Sequence, residues 1–277
     1  MTLPILLAHG ACRFDRLWSD PSPVITPDDP GDDRHCYFKG IRPLLVKNGF
    51  PAYLSNVSWG AGVDIRAADL LANVKTVLDH SGADRVNIIA HSMGGLDARR
   101  MLFNDRLQGG IHHRIASLTT LSTPHHGTPF ADWGIHRLPA VIPTLQAMGL
   151  DLAALEDLRT PVCARFNNDP EVQAFEAALE STIRFRTFAG RQSFAGIFAP
   201  LKPSYLIIHR SAGANDGLVP IYSARWKSRY VGGTMENTDH LNALGWWEPD
   251  QLITGEGPAR LLRRIHRYYL QITASLP

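Results

Sequence analysis

Cysteine is scarce in this sequence, long apolar runs are missing, and no charge of one sign dominates. Three cysteines, Cys12, Cys36 and Cys163, stand in 277 residues. They are too few and too scattered for a disulfide scaffold or a cysteine-based zinc cluster, although Cys12 with Cys36 could close one loop. The longest apolar runs, such as Ile5 to Ala8 and Val86 to Ala90 with Asn87 inside, are far shorter than a bilayer span. No transmembrane segment is therefore expected. Lys plus Arg number 28 against 26 Asp plus Glu, a net charge of +2 without a basic stripe, so no nucleic-acid partner is expected. Only Met1, Thr2, Leu3 and Pro4 precede the first apolar run, with no positive segment or cleavage site. The expected location is the cytoplasm, or outside the cell without a cleaved leader.

What is present is globular in composition, 44% hydrophobic and 19% charged, at a length that suits one α/β domain. Ile5–Ala8 and Ala52–Leu54 read as strands bounded by Gly and Pro. Ala67–His80 carries Leu70, Leu71, Val74, Val77 and Leu78 at helical spacing, with Gly82 just past its end. Val86–Ala90 reads as a buried strand and Gly94–Phe103 as a helix. Ile115–Leu121, Thr182–Phe188 and Tyr205–Ile208 read as further strands. A last helix opens after Pro258, with Leu261, Leu262, Ile265, Tyr268, Tyr269 and Ile272 inward and Arg260, Arg263, Arg264 and Arg267 outward. This alternation predicts an α/β fold, a mostly parallel sheet with helices on both faces.

One stretch breaks the rhythm. From about 125 to 180 no strand is legible, and Val141, Ile142, Leu145, Met148, Leu152, Leu155 and Leu158 form apolar helical patches. Thr160-Pro161 reads as an N-cap followed by proline at the first helical position. The expectation is a helical insertion lying over the sheet of a single 1–277 domain.

Ala90-His91-Ser92-Met93-Gly94-Gly95 closes a predicted strand and opens a predicted helix, the setting in which small-x-Ser-x-Gly forms a nucleophile elbow. The turn is so sharp that bulk two residues either side of the serine would collide, and Ala90 and Gly94 are small. Ala90 is one methyl larger than the usual glycine. A serine hydroxyl needs a base, and the base an acid to hold its tautomer. Asp216, in Asn215-Asp216-Gly217, and His240, before the last helix, stand in the Ser, Asp, His order expected after such an elbow. Asp239 adjoins His240, but adjacent side chains rarely point the same way, so Asp216 is the better acid. The amides of Met93 and of Ala11, in the loop after the first strand, are the expected oxyanion donors. His9 is expected to order that loop.

Other features are weaker. His112-His113 and His125-His126 lack helical metal-site spacing and are expected to pack in loops near the pocket mouth. Asp28, Asp29, Asp32 and Asp33 read as an exposed loop. Trp246-Trp247 reads either as a pocket wall or as core.

The chain resembles the bacterial triacylglycerol lipases of the α/β-hydrolase fold. Six segments carry the likeness: Pro4–Gly10, Val86–Gly95, Ser122-Thr123-Pro124-His125-His126-Gly127, Arg165-Phe166-Asn167-Asn168, Asn215–Val219, and Asp239-His240-Leu241-Asn242. The resemblance implies a serine ester hydrolase acting through Ser92, Asp216 and His240. It further implies oxyanion donors at Ala11 and Met93, a mobile helical lid, a lipid or ester substrate and contact with a lipid–water interface. Soluble carboxylesterases, phospholipases and acyltransferases would use the same residues, and a non-catalytic scaffold protein is the remaining alternative. Many of these lipases hold calcium with an Asp two residues after the histidine and a Gln six after it. Here Asn242 and Trp246 stand there, and 191–215 contains no Asp or Glu, so no calcium or other cofactor is expected.

Overall fold

A computed structural model describes residues 2–11, 24–30, 33–58, 60–137, 152–246 and 257–277. Its centre is one sheet of six strands: β1 (Ile5–Ala8), β2 (Ala52–Leu54), β3 (Val86–His91), β4 (Ile115–Leu121), β5 (Arg184–Arg191) and β6 (Val231–Glu236). They pair in the order β2-β1-β3-β4-β5-β6, and every pair is parallel. Parallel strands need crossovers, and helices supply most of them. These are α1 (Ile41–Lys47), α2 (Val63–Ser81), α3 (Met93–Asn104), α4 (Pro129–Arg137), α5 (Leu152–Asp157), α6 (Thr160–Asn168), α7 (Pro170–Leu179), α8 (Lys202–Ala212), α9 (Ile221–Ala224) and α10 (Pro258–Thr273).

Alternation along the strands divides the core in two. Leu6, Ile88 and Leu118 face one apolar cluster with Leu70, Val74 and Val77 of α2. Ile5, Leu7, Ile89 and Leu121 face another, with Leu261, Ile265 and Tyr269 of α10. The α/β architecture is as expected, and helices cover both sheet faces over β1 to β4, whose residues are buried throughout, while β5 and the edge strand β6 are partly exposed. Gly82 ends α2 in the left-handed region at φ 66°, and its amide donates to Leu78 O.

Several expectations are corrected. Tyr205–Ile208 is not a strand but lies inside α8, where Tyr205 and Ile208 are buried and Leu206 is exposed. A four-residue apolar run fits either period, and Pro203 in the first turn favours the helix. The strand that actually leads to His240 is β6, hidden in the sequence by Gly232-Gly233. Thr160 is the first residue of α6 rather than its cap, and its amide and hydroxyl both donate to the Asp132 carboxylate, at 3.0 and 2.6 Å.

Asp28 and Asp29 are exposed as expected, but Asp33 is buried against the Arg42 guanidinium at 2.7 Å. His112 and His113 precede β4, at the end of the strand away from Ser92 rather than by the pocket mouth. Cys12, Asp32, Trp247 and the patch Val141–Met148 lie outside the described residues. Among the described residues of 125–180 there are helices and no strand. No helix among the described residues is long and apolar enough to cross a membrane.

One buried ion pair locks the sheet edge to the helix layer. Arg66 of α2 donates to both Asp97 oxygens, at 2.6 to 3.1 Å, and to His9 O at 3.1 Å. Removing one partner of such a pair strands a charge in low dielectric. Asp97→Ala is therefore expected to cost about 3–5 kcal/mol, read as a lowered urea midpoint.

Candidate active site

β3 passes straight into α3 through Ser92, whose backbone sits at φ 54° and ψ −131°, a strained conformation for a side-chain-bearing residue. The strain persists because the surroundings allow nothing bulkier. A Cβ on Gly94 would come within 2.7 Å of the carbonyl oxygens of Ala8 and His9, and one on Gly10 within 2.7 Å of Ser92 Cβ. A Cβ on Gly95 would run into the Thr123 side chain. Thr123 Oγ1 in turn donates to Ser92 O at 2.8 Å. The hydroxyl is thus lifted to the carboxyl edge of the sheet, at the N-terminus of α3, where backbone amides favour developing negative charge.

His240 follows β6 and reaches both ways. Its Nε2 lies 2.9 Å from Ser92 Oγ and its Nδ1 lies 2.9 Å from Asp216 Oδ2. Its own amide donates to Asp216 O at 2.8 Å, which fixes the two loops together. With the carboxylate accepting from Nδ1–H, Nε2 carries the lone pair that faces the serine hydroxyl. Asp216 is held by a tight turn: its Oδ1 accepts from Leu218 N at 3.0 Å and Val219 N at 2.7 Å. Although α8 precedes it in sequence, the turn lies against the end of β5. Gln192 N donates to Asn215 O, and a Cβ on Gly190 would meet Asp216 Cβ at 2.9 Å.

Asp239 points away, as adjacency suggested. Its carboxylate accepts from the amides of Phe198, Leu241 and Asn242 at 2.7 to 3.0 Å, and burial pushes it up to about 6 against the pull of those amides. His9 orders its loop: Nδ1–H donates to Gly10 O at 2.8 Å while Nε2 accepts from Val57 N at 3.1 Å. Met93 opens α3, and Ala11 packs on the cluster of Met93, Val63 and Leu96. Trp246 belongs to the core side, with its indole N–H donating to Tyr37 O at 3.0 Å.

One neighbour went unnoticed in the sequence. His91 is fully buried, its Nδ1 2.9 Å from Tyr37 Oη and its ring 4.5 Å from that of His240. Burial, and then the nearby His240, hold it well below its usual range, so a neutral ring backs the imidazole of His240. Its position between strand and serine was the available signal.

Asn242 spans the place where the resemblance would put a cation. Its Oδ1 accepts from Asp239 N at 3.2 Å and its amide nitrogen donates to Trp246 O at 2.9 Å. A donor faces the loop there rather than a second carboxylate. Among the described residues no group of three His, Cys, Asp or Glu side chains forms a metal set.

The known proteins most informative for this geometry are ester hydrolases. Residues 69–158 match the family model of the PGAP1-like alpha/beta domain. The chain is similar to triacylglycerol lipase 2 of Saccharomyces cerevisiae, 27% identical over 88% of this chain and 80% of the yeast protein. It is 30% identical to a triacylglycerol lipase of Pseudarthrobacter phenanthrenivorans, over 71% of this chain and 56% of that one. The chain is similar to triacylglycerol lipases over most of its length and has the α/β-hydrolase fold. Solved members of the fold include a metagenomic carboxyl esterase, with TM-score 0.65 and 21% identity over 97% of this chain and 76% of that one. A Bacillus licheniformis lipase in mature form gives 0.62 and 20% over 87% and 85%. Both sequence relatives are named triacylglycerol lipases, and by that similarity this chain is a carboxylic ester hydrolase. It spans about half the length of its bacterial relatives, 56% in one case and 50% in another.

Proposed function

We propose that the chain hydrolyses fatty-acyl esters, acylglycerols among them, through an acyl-enzyme on Ser92. The observation that carries this reading is the unbroken contact chain from Ser92 Oγ to His240 Nε2 and from His240 Nδ1 to Asp216, both at 2.9 Å. Ser92 Oγ attacks the ester carbonyl carbon while His240 Nε2 takes its proton. Asp216 steadies the resulting imidazolium, and the amides of Ala11 and Met93 receive the oxyanion. The carbon–oxygen bond to the alcohol then breaks, and His240 returns the proton to the departing oxygen. Water, deprotonated by His240, releases the fatty acid and restores Ser92.

The names of the sequence relatives support an acylglycerol substrate. The helices between 129 and 179 are read as a cap on a single domain, and the chain as one that meets a lipid–water interface while turning over. The test compares emulsified long-chain triacylglycerol with a short-chain soluble ester across their solubility limits. The expected result is turnover of the long-chain ester that climbs steeply once droplets form. Hydrolysis confined to dissolved short-chain ester would replace the lipase reading with a soluble carboxylesterase.

The reading includes no calcium, because Asn242 offers one neutral oxygen where a hard cation wants carboxylates. Dialysis against a chelator is expected to leave both activity and melting temperature where they were. A drop in melting temperature restored by calcium would contradict it.

A further inference from the structure

The hydrolytic steps give His91 no task, yet its ring lies 4.5 Å from that of His240, tilted by 54°. His91 ends β3 on the same face as Ile89, which packs with Tyr37 in one apolar cluster. Its Nδ1 lies 2.9 Å from Tyr37 Oη, and its Nε2 has no hydrogen-bond partner among the described residues. A buried ring with an unsatisfied nitrogen costs stability that an apolar side chain of the same volume would not. Packing alone therefore does not account for an imidazole here. What the imidazole adds is a handle at Nδ1: a neutral ring presents either a lone pair or an N–H there, and a phenol hydroxyl meets either.

Tyr37 is itself closely held. It is buried, with its ring edge-on to Phe38 at 5.3 Å and tilted toward His9 at 5.7 Å. Its carbonyl accepts from the indole N–H of Trp246, in the loop that carries His240. Its hydroxyl abuts the loop after β1, since a Cβ on Gly10 would come within 2.8 Å of Tyr37 Oη. The phenol has little room to swing away from His91.

The base needs such support most in the second half of the reaction. While Ser92 is still a free hydroxyl, the His240 ring is held at both nitrogens, by Ser92 and by Asp216, each at 2.9 Å. Once the acyl group sits on Ser92 Oγ, the hydroxyl proton is gone and Nε2 must face an incoming water instead. One hydrogen bond, to Asp216, and the packed side of the ring then fix its aim, and a small misplacement of a base is costly in rate. We propose that Tyr37 is a positioning residue for deacylation, its hydroxyl holding the His91 ring against that of His240 while water attacks the acyl-enzyme. In that step the water oxygen bonds to the acyl carbon and its proton passes to His240 Nε2. The bond to Ser92 Oγ then breaks, and Oγ takes the proton back. The inference rests on the hydrolase reading.

The test uses the full chain and p-nitrophenyl butyrate, whose good leaving group makes acylation fast and leaves deacylation limiting. Tyr37→Phe keeps the ring and drops only the hydroxyl. Its kcat is expected to fall about tenfold. KM should fall with it, leaving kcat/KM within about twofold of the original, because the acyl-enzyme accumulates. The rate of phosphonate labelling at Ser92, which needs only the first half of the reaction, should likewise stay within about twofold. His91→Leu, similar in volume, is expected to lose about as much kcat, and the double variant no more than either single, since Tyr37 acts through His91. Unchanged kcat in Tyr37→Phe, a fall in kcat/KM as steep as that in kcat, or losses that multiply in the double variant would each overturn the proposal. Tyr37→Phe decides alone should His91→Leu fail to fold. Absence of both labelling and turnover in the unaltered chain would strike the hydrolase reading instead, so the two fail separately.

Discussion

Ser92→Ala is expected to lower kcat by about 10⁶, leaving only what the oxyanion amides and binding contribute. The size follows from the geometry: His240 Nε2 faces one hydroxyl, 2.9 Å away, and its proton-accepting power has no other use. The fold should survive, because alanine keeps the Cβ that the elbow already accommodates. The same backbone offers an internal control. Ser92→Gly removes the cost of holding a side chain at φ 54° and is expected to raise stability by about 1 kcal/mol while being equally inactive. Steady-state kinetics and thermal melts on the pair separate chemistry from folding.

Asp216→Asn is expected to reduce kcat by about 10⁴ with little change in KM. The new amide would place a donor or a neutral oxygen where Oδ2 now accepts from His240 Nδ1–H. In the donor orientation the ring proton moves to Nε2, and the imidazole can no longer take the serine proton. The turn itself should hold, since the asparagine oxygen can still accept from Leu218 and Val219. Asp239→Asn is the matching control. Its carboxylate accepts from three backbone amides, so its loss is expected in stability rather than in kcat.

Much of the fold was legible because parallel strands buried on both faces appear as short apolar runs, as in Ile5–Ala8 and Ile115–Leu121. Legibility failed where composition and burial diverge. β6, Val231-Gly232-Gly233-Thr234-Met235-Glu236, lies at the sheet edge and shows neither alternation nor an apolar run. Tyr205–Ile208 shows such a run and is helical. That error left Asp216 following the wrong kind of element, yet its identity was unaffected. The Asn-Asp-Gly turn packs on the end of β5 whatever precedes it, because Gly190 leaves room for Asp216. The elbow was legible because steric necessity writes itself into small residues at Ala90, Gly94 and Gly95. The partners of His91 and Arg66 were not, because a buried charged or imidazole side chain leaves no periodic mark. Its partners, such as Asp97 31 residues from Arg66, are set by tertiary packing alone.

The most direct measurement is mass spectrometry of the intact and digested protein after stoichiometric treatment with a fluorescent alkylphosphonate. One adduct per chain is predicted, on the peptide bearing Ser92, with esterase activity lost in proportion and no adduct on Ser92→Ala. Labelling of a different residue, or full activity in a protein fully labelled at Ser92, would contradict the account.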